Sequence, residues 1–215
     1  MPIFFEKHID ADTKLAIWKI EEPEDFFLDK VPLQRNITHP HKRLQHLAGR
    51  YLLQYLFPDF PTDLIQLADT RKPYLADEAY HFSISHCGDY AAAIVSPTKR
   101  VGIDIEGFSA KVLKIEHKFI SPNECPILNA LSSIPDQLST DQQINRSTLL
   151  WSCKEAIFKW HGSGGVDFRK HMQILAITET NDWLQTKFAF KKSGNQLLDL
   201  HSCMFKELCL SYLAT

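Results

Sequence analysis

The chain has 215 residues and a net charge of −2, with 44% apolar and 23% charged residues. Such values are ordinary for a globular protein with a real core, in one large domain or two of about 100 residues. A net charge near zero gives no general attraction for nucleic acid, and no apolar run approaches the ~20 residues of a membrane span. We therefore expect neither nucleic acid nor membrane as a partner, and any anion site must be a local basic cluster.

The N-terminus and the cysteines bear on the cellular compartment. The opening Met-Pro-Ile-Phe-Phe-Glu is too short an apolar run for a signal peptide, and no positively charged segment precedes it. The five cysteines are widely spaced and contain no Cys-x-x-Cys, so they predict neither a disulfide framework nor a zinc site. We expect a reduced, cytoplasmic chain.

The first hundred residues predict strands around one long helix. Residues 3–20 are typical of strands, and residues 21–27 of a short helix. Apolar residues at helical spacing begin at Pro40 and stop before Pro58. Three further segments, joined by short turns, predict an antiparallel meander: residues 82–85, 90–95 and 101–106.

The second half predicts helices followed by strands. Residues 111–119 are typical of a helix, and Ser121 with Glu124 has the spacing of a capping box. Residues 129–147 are polar and predict a loop or a weak helix, and residues 148–161 predict a central helix that ends at Gly162. Strands are predicted near 172–177, 183–190, 197–204 and 207–213. Strand, helix and strand recur in both halves, which divide near residue 100.

The ten residues from Trp151 to Trp160 are the most distinctive part of the central helix. Leu150, Cys153, Ile157 and Trp160 make one apolar stripe. Glu155 and Lys159 share another face, with Lys154 beside them. An ion pair on a solvated helix surface contributes only ~0.3–0.5 kcal/mol. The same charged residues also suit a phosphate and a cation, and the helix alone leaves both interpretations open.

Two acidic residues share one face of the predicted strand 101–106. Val101, Ile103 and Ile105 face one side, and Gly102, Asp104 and Glu106 the other. Residues two apart on a strand are separated by ~6.6 Å, which two carboxylates can span to bind one Mg²⁺ at ~2.1 Å. The exposed polar face of a half-buried strand gives the same pattern.

A basic stripe follows the predicted helix after Pro40. Its members recur at helical spacing: Lys42, Arg43, His46 and Arg50. The stripe is either a solvated basic face or a surface that meets phosphate or an acidic partner protein.

Taken together, the motifs resemble those of the 4′-phosphopantetheinyl transferases, in the monomeric, two-lobed surfactin-synthetase type. Val-Gly-Ile-Asp-Ile-Glu at 101–106 and Trp-Ser-Cys-Lys-Glu-Ala-Ile-Phe-Lys at 151–159 resemble the paired signature of that family. Ile-Ser-His-Cys-Gly at 84–88 is similar to its Ile-Ser-His-Ser-Gly, and Arg-Lys-Pro at 71–73 to its Gly-Lys-Pro. The match covers roughly residues 40–165.

This resemblance implies a fold and a reaction. The fold is α+β, with two similar α+β lobes, residues 1–100 and 101–215, related by pseudo-two-fold symmetry with the ligand between them. The reaction moves the 4′-phosphopantetheine arm of coenzyme A to a serine of an apo acyl or peptidyl carrier protein and releases adenosine 3′,5′-bisphosphate. It depends on Mg²⁺, with Mn²⁺ as a possible substitute, and the enzyme is a monomer.

The resemblance also implies residue roles. Asp104, Glu106 and Glu155 would bind the metal, and Glu155 would be the general base for the carrier serine, directly or through a metal-bound water. Lys159 and Lys154 would stabilise charge on the pyrophosphate as the leaving group departs. Further contacts to coenzyme A would come from Arg43, Lys72, Ser85 and His86. Arg50 is the rival of Arg43, and a turn histidine without a ligand is the alternative for His86.

The chain departs from the family pattern in two places. Gly162-Ser163-Gly164 replaces a usual Gly-Lys-Gly, and Arg71 replaces a glycine.

Other functions stay open. The main alternative is a non-catalytic coenzyme A-binding regulatory module of the same fold; a pyrophosphate-cleaving hydrolase and a plain structural domain are others. An acidic carrier would dock on the basic stripe or on residues 111–119, through contacts that weaken with salt.

Overall fold

The computed structural model describes residues 3–34, 36–129 and 139–215. Two units divide the chain: Met1–Ile105 with Ala214–Thr215, and Glu106–Leu213. Both combine helices with antiparallel strands, so the predicted α+β class is confirmed. Among the described residues, no helix is both long enough and apolar enough to cross a membrane.

The first unit is built on a four-stranded antiparallel sheet and one long helix. Its strands in chain order are β1 Ile3–His8, β2 Lys14–Lys19, β3 Gln66–Leu67, β4 Pro73–Tyr74, β5 His81–Cys87 and β6 Tyr90–Ser96, with β7 Val101–Gly107 after them. The sheet has the order β1-β2-β6-β5, and β3 pairs only with β4. The helices are α1 Glu24–Leu28 and α2 Pro40–Leu56. The strand, short-helix and long-helix predictions for this half are confirmed.

Helix α2 begins and ends where the two prolines predict. Pro40 occupies the first turn, where its missing N–H costs nothing. Leu47, Leu52 and Leu53 are fully buried in the core of this unit. The helix approaches strand β5 closely: a Cβ added to Gly49 would lie 2.6 Å from Ile84 Cγ2.

The predicted three-stranded meander is wrong in its last strand. β5 and β6 do pair antiparallel, but the other neighbour of β6 is β2. Strand β7 belongs to the five-stranded sheet, of order β7-β11-β10-β9-β8. The physical reason lies in β6, which is buried from Ala91 to Ser96 and therefore occupies a central position with a strand on each side.

The second unit packs helices against the five-stranded sheet. Its helices are α3 Lys111–Phe119, α4 Cys125–Asn129, α5 Thr140–His161 and α6 Phe168–His171, and its strands are β8 Met172–Thr180, β9 Trp183–Phe190, β10 Gln196–Met204 and β11 Leu208–Ala214. The predicted helix 111–119, the capping box at Ser121 and the four strands are confirmed. The predicted apolar stripe of α5 lies in the core, since Leu150, Cys153, Ile157 and Trp160 are all buried.

Helix α5 is longer than the sequence predicted. It begins at Thr140, because Ser139 and Gln142 form a capping box there. The polar segment 140–147 is therefore helical, and helix 148–161 is the end of a longer element. For 140–147 the helical alternative of the predicted loop or weak helix is thus confirmed, and residues 130–138 of that segment lie outside the described residues.

Candidate functional site

A hydrogen bond joins the two long motifs inside the second unit. Trp151 Nε1 donates to Glu106 Oε1 at 3.0 Å. The indole also packs against the rings of Phe119 and Phe168, with centroids 5.1 Å and 5.5 Å away. Glu155 follows one helical turn later on the same face of α5, and it is half-buried. The end of β7 that carries Glu106 therefore lies beside the face of α5 that carries Glu155.

Asp104 is held in the first unit by a serine of strand β5. Ser85 Oγ donates to Asp104 Oδ1 at 2.9 Å and accepts from Ile105 N at 3.1 Å. Asp104 is 3% exposed and Ser85 5% exposed. The Ser85 hydroxyl thus contacts Asp104 and the backbone of β7, and the nucleotide contact that the sequence predicted for Ser85 stays a prediction.

The predicted metal site has suitable donor chemistry. Asp104, Glu106 and Glu155 offer only carboxylate oxygens, the ligands that Mg²⁺ and Mn²⁺ prefer. Over the described ranges, no group of three or more His, Cys, Asp or Glu side chains is already gathered around a metal position. The donor set therefore suits Mg²⁺, and the joint coordination by the three carboxylates stays a prediction.

Lys154 requires a correction, because its ammonium group is built into the core. It donates to Phe119 O at 2.6 Å, to Glu124 Oε2 at 2.9 Å and to Phe168 O at 3.1 Å. Both Lys154 and Glu124 are 0% exposed. An ammonium group has three donors, and a buried charge needs such partners. Lys154 therefore ties α5 to the segments around it, and its three donors are occupied by protein groups, which argues against the predicted pyrophosphate contact.

Lys159 keeps a position from which it can reach a ligand. It is half-buried and lies one turn after Glu155 on α5, in the last turn of the helix. Gly162 ends the helix in the left-handed conformation, with φ 74°, as the glycine after the predicted helix indicated. Two half-buried residues of opposite charge, Glu155 and Lys159, thus share one face near the end of α5.

The first unit contains a cavity of about 360 Å³ with a basic lining. Its basic residues are Lys42, His46, Arg50, Arg71 and His86. Arg50 is 4% exposed, and its Nε donates to His46 Nε2 at 2.9 Å. Among the described residues, no Asp or Glu lines this cavity, so its charge suits a phosphorylated ligand. His86, predicted from the sequence, is part of it.

The structure separates the two arginines that the sequence left as rivals. Arg43 makes a two-point ion pair with Glu24, with Nε and Nη2 at 2.8 Å and 2.7 Å from Oε2. Arg50 lines the basic cavity and Arg43 does not. Three residues of the predicted stripe thus line one cavity, while Arg43 links α2 to α1.

Arg71 is a candidate ligand residue that the sequence analysis missed. The sequence marked it only as a departure from glycine, yet it lines the basic cavity. Its φ of 64° is left-handed, which explains why a glycine suits this position. The signal that could have identified it is its place directly before Lys72, in a segment already expected to contact phosphate.

Lys72 lies next in the chain, between two residues that line the cavity, Arg71 and Pro73. Burial, and in second place the charge of Arg100, lower the pKa of Lys72 from 10.5 to about 8. Burial disfavours the charged form of Lys72 in the free protein. An anion bound beside it would stabilise that charged form and raise the pKa again.

Comparisons with known proteins agree with the motifs. The model of the 4′-phosphopantetheinyl transferase superfamily matches residues 100–209, which is more than half of the chain. The chain belongs to this superfamily, and the resemblance predicted from the two long motifs is confirmed.

Individual relatives match only part of their length. The chain is 30% identical over 118 residues to enterobactin synthase component D of Salmonella austin, with 55% of this chain and 47% of that protein covered. It is 37% identical over 94 residues to the 4′-phosphopantetheinyl transferase of Bacillus subtilis, with 43% and 38% covered. With the 4′-phosphopantetheinyl transferase AcpT of Escherichia coli K12, identity is 32% over 145 residues and 65% of each chain is covered. The chain thus spans about half the length of the first relatives.

Proposed function

We propose that this protein transfers the 4′-phosphopantetheine arm of coenzyme A to a serine of an apo acyl or peptidyl carrier protein, with release of adenosine 3′,5′-bisphosphate. The observation that carries the proposal is the hydrogen bond from Trp151 to Glu106. It joins the two motifs that define the resemblance, so that the acidic strand lies against the helix face of Glu155. Membership of the superfamily supports the same reaction.

The basic cavity of the first unit is the proposed site for the phosphates of the nucleotide. Coenzyme A carries a 3′-phosphate and a pyrophosphate. The cavity offers His46, Arg50, Arg71 and His86, and no carboxylate stands among the lining residues that the structure describes. Lys72, beside the cavity, would regain its positive charge next to a phosphate. A two-lobed arrangement with coenzyme A between the lobes, 1–100 and 101–215, stays part of the proposal.

Glu155 and Lys159 are the proposed catalytic residues. Glu155 accepts the proton of the carrier serine, and Lys159 donates hydrogen bonds to the pyrophosphate oxygen that gains charge as the bond to phosphorus breaks. Asp104, Glu106 and Glu155 would hold Mg²⁺ or Mn²⁺, which when bound supplies positive charge to the pyrophosphate. We further propose that the enzyme works as a monomer in the cytoplasm.

Intact-mass spectrometry of an apo carrier protein tests the reaction. After incubation with coenzyme A and Mg²⁺, the carrier should gain one phosphopantetheine arm, and EDTA or replacement of the carrier serine by Ala should abolish the gain. Glu155→Gln should lower turnover about 10²–10⁴-fold, the usual contribution of a general base, while adenosine 3′,5′-bisphosphate still binds.

A matched control and the rival functions complete this test. Glu179→Gln removes the same charge from an exposed position on β8 and should leave transfer unchanged. A regulatory module would bind coenzyme A without modifying any carrier in either variant. A hydrolase would release adenosine 3′,5′-bisphosphate with no carrier present. Full transfer by Glu155→Gln would contradict the proposed base.

A further inference from the structure

Two serines of β5 hold the backbone of β7 through their side chains. Ser83 Oγ accepts from Ile103 N at 3.2 Å, and Ser85 Oγ accepts from Ile105 N at 3.1 Å. The strands β5 and β7 belong to different sheets and are not paired with each other. Two backbone N–H groups of β7 are therefore bonded by serine hydroxyl groups of β5, where paired strands would use main-chain carbonyl groups. The two-residue step is the same on both strands, and the pair therefore sets the register of β7 along β5.

The two serines differ in what else their hydroxyl groups contact. Besides accepting from Ile105 N, Ser85 Oγ lies 2.9 Å from Asp104 Oδ1. A hydroxyl has one proton to donate, and an ionised carboxylate can only accept. The proton of Ser85 therefore points at Asp104, and the N–H of Ile105 fixes the hydroxyl from its other side. Within the described part of the chain, no such carboxylate contact accompanies the bond of Ser83 to Ile103.

Burial protects these two hydrogen bonds of the Ser85 hydroxyl from competition by water. Ser85 and Asp104 are 5% and 3% exposed, so water has little access to replace the hydroxyl. Hydrogen bonds in such surroundings are stronger and polarise one another. The Asp104 carboxylate is thereby held in one orientation by a neighbour on another strand, as outer-shell partners hold metal ligands elsewhere.

We propose that Ser85 is a positioning residue for the metal ligand Asp104, an inference that rests on the proposed function. Its hydroxyl orients the Asp104 carboxylate for metal binding, in addition to securing β7. This differs from the nucleotide contact that the sequence motif predicted for Ser85. The difference is testable because the two roles affect different equilibria: metal binding in one case, coenzyme A binding in the other.

The test compares Ser85→Ala with Ser83→Ala, which loses the same kind of bond to β7 but no contact to Asp104. Free Mn²⁺ is measured by electron paramagnetic resonance during titration of the full chain, without coenzyme A. Ser85→Ala should bind Mn²⁺ ten- to a hundredfold more weakly, the usual effect of losing an outer-shell partner. Ser83→Ala should bind it as the wild type does, and Ser85→Thr, which keeps a hydroxyl, should restore the affinity.

Kinetics supply a second measurement. For Ser85→Ala, the Mg²⁺ concentration that gives half-maximal transfer should rise, while the rate at saturating Mg²⁺ recovers. Thermal melting of both Ala variants checks that they fold. If Ser85→Ala does not fold, Ser85→Cys, with a weaker donor of similar size, should show the same loss of Mn²⁺ affinity.

Three results would overturn the inference: equal Mn²⁺ affinity in the two Ala variants, no Mn²⁺ binding by the wild type, or a raised KM for coenzyme A with unchanged metal affinity. The last of these would restore the nucleotide contact. If the wild type binds Mn²⁺ but modifies no carrier, the proposed function fails on its own, and the Mn²⁺ titrations of the Ser85 variants still decide the positioning role.

Discussion

Lys72 should make ligand binding depend on pH. Its pKa in the free protein is about 8, so a rising share of the side chain is neutral above that pH. A bound phosphate favours the charged form and raises the pKa. Between about pH 8 and 10.5 the complex therefore holds a proton that the free protein has lost. Affinity for adenosine 3′,5′-bisphosphate, which has no thiol of its own to titrate, should fall as pH rises through this window.

Calorimetry in two buffers of different ionisation enthalpy measures that proton uptake directly. Lys72→Arg is the matched variant, because an arginine stays charged throughout this range and should abolish the uptake. Identical pH profiles for wild type and Lys72→Arg would show that Lys72 does not meet the phosphate. Lys99→Arg is a suitable control, since Lys99 is tied to Asp10 by an ion pair of 2.6 Å.

Single residues also show where sequence reasoning reaches its limit. Lys154 and Lys159 stand in one motif and look equivalent, yet the first is fully buried with Glu124 and the second is half-buried. The partner of Lys154 is thirty residues away in the chain, and helical spacing cannot reveal it. The motif predicted that charge would gather on this helix; only the fold decided which charge faces the core.

At the scale of elements, the approach of α2 to β5 shapes the basic cavity. His46 and Arg50 come from α2, and Ile84 and His86 from β5. Gly49→Ala would place a methyl group 2.6 Å from Ile84 Cγ2, so either the Ile84 side chain or one of the two elements must shift. Overpacking of this kind costs about 1–3 kcal/mol, whereas the better helix propensity of Ala returns about 1 kcal/mol. We expect a net loss of stability and weaker binding of adenosine 3′,5′-bisphosphate.

A double-mutant cycle separates the clash from other effects of Gly49→Ala. In an Ile84→Ala background the Cγ2 atom is gone, so Gly49→Ala should become neutral or stabilising in urea unfolding. A penalty that is equal in both backgrounds would show that the two elements do not meet as described. Sequence periodicity predicted the ends of α2 correctly, but it could not predict this close approach, because it depends on a residue from another element.

Across the whole molecule, local patterns predicted elements better than their arrangement. The strands 82–85, 90–95 and 101–106 all formed, but β7 joined the other sheet because β2 lies beside β6. For the site, the sequence identified Asp104, Glu106, Glu155 and His86 as candidates. It missed Arg71, and it did not predict that Ser85 and Trp151 hold two of the carboxylates. Those contacts join distant segments, and one sequence contains no direct signal for them.

Because the whole-molecule charge is −2, attraction of the proposed carrier protein, if acidic, would have to come from one face. The basic stripe of α2 mostly lines a cavity, which leaves α3 as the better docking surface. Lys111, Lys114 and Lys118 are exposed there and share one side of the helix. Because exposed charges are screened within ~10 Å at 0.1 M salt, we expect the KM for the carrier to rise with salt while the KM for coenzyme A changes less.

Charge reversal on α3 checks this expectation against a control with the same net charge. Lys114→Glu should raise the KM for the carrier several-fold, mainly through slower association, and should flatten its salt dependence. Lys187→Glu changes an exposed lysine on β9 and should leave the KM for the carrier unchanged. If both variants behave alike, only the overall charge matters and α3 is not the docking face. If neither responds to salt, the carrier is held by apolar contacts, and its acidic surface plays no part in docking.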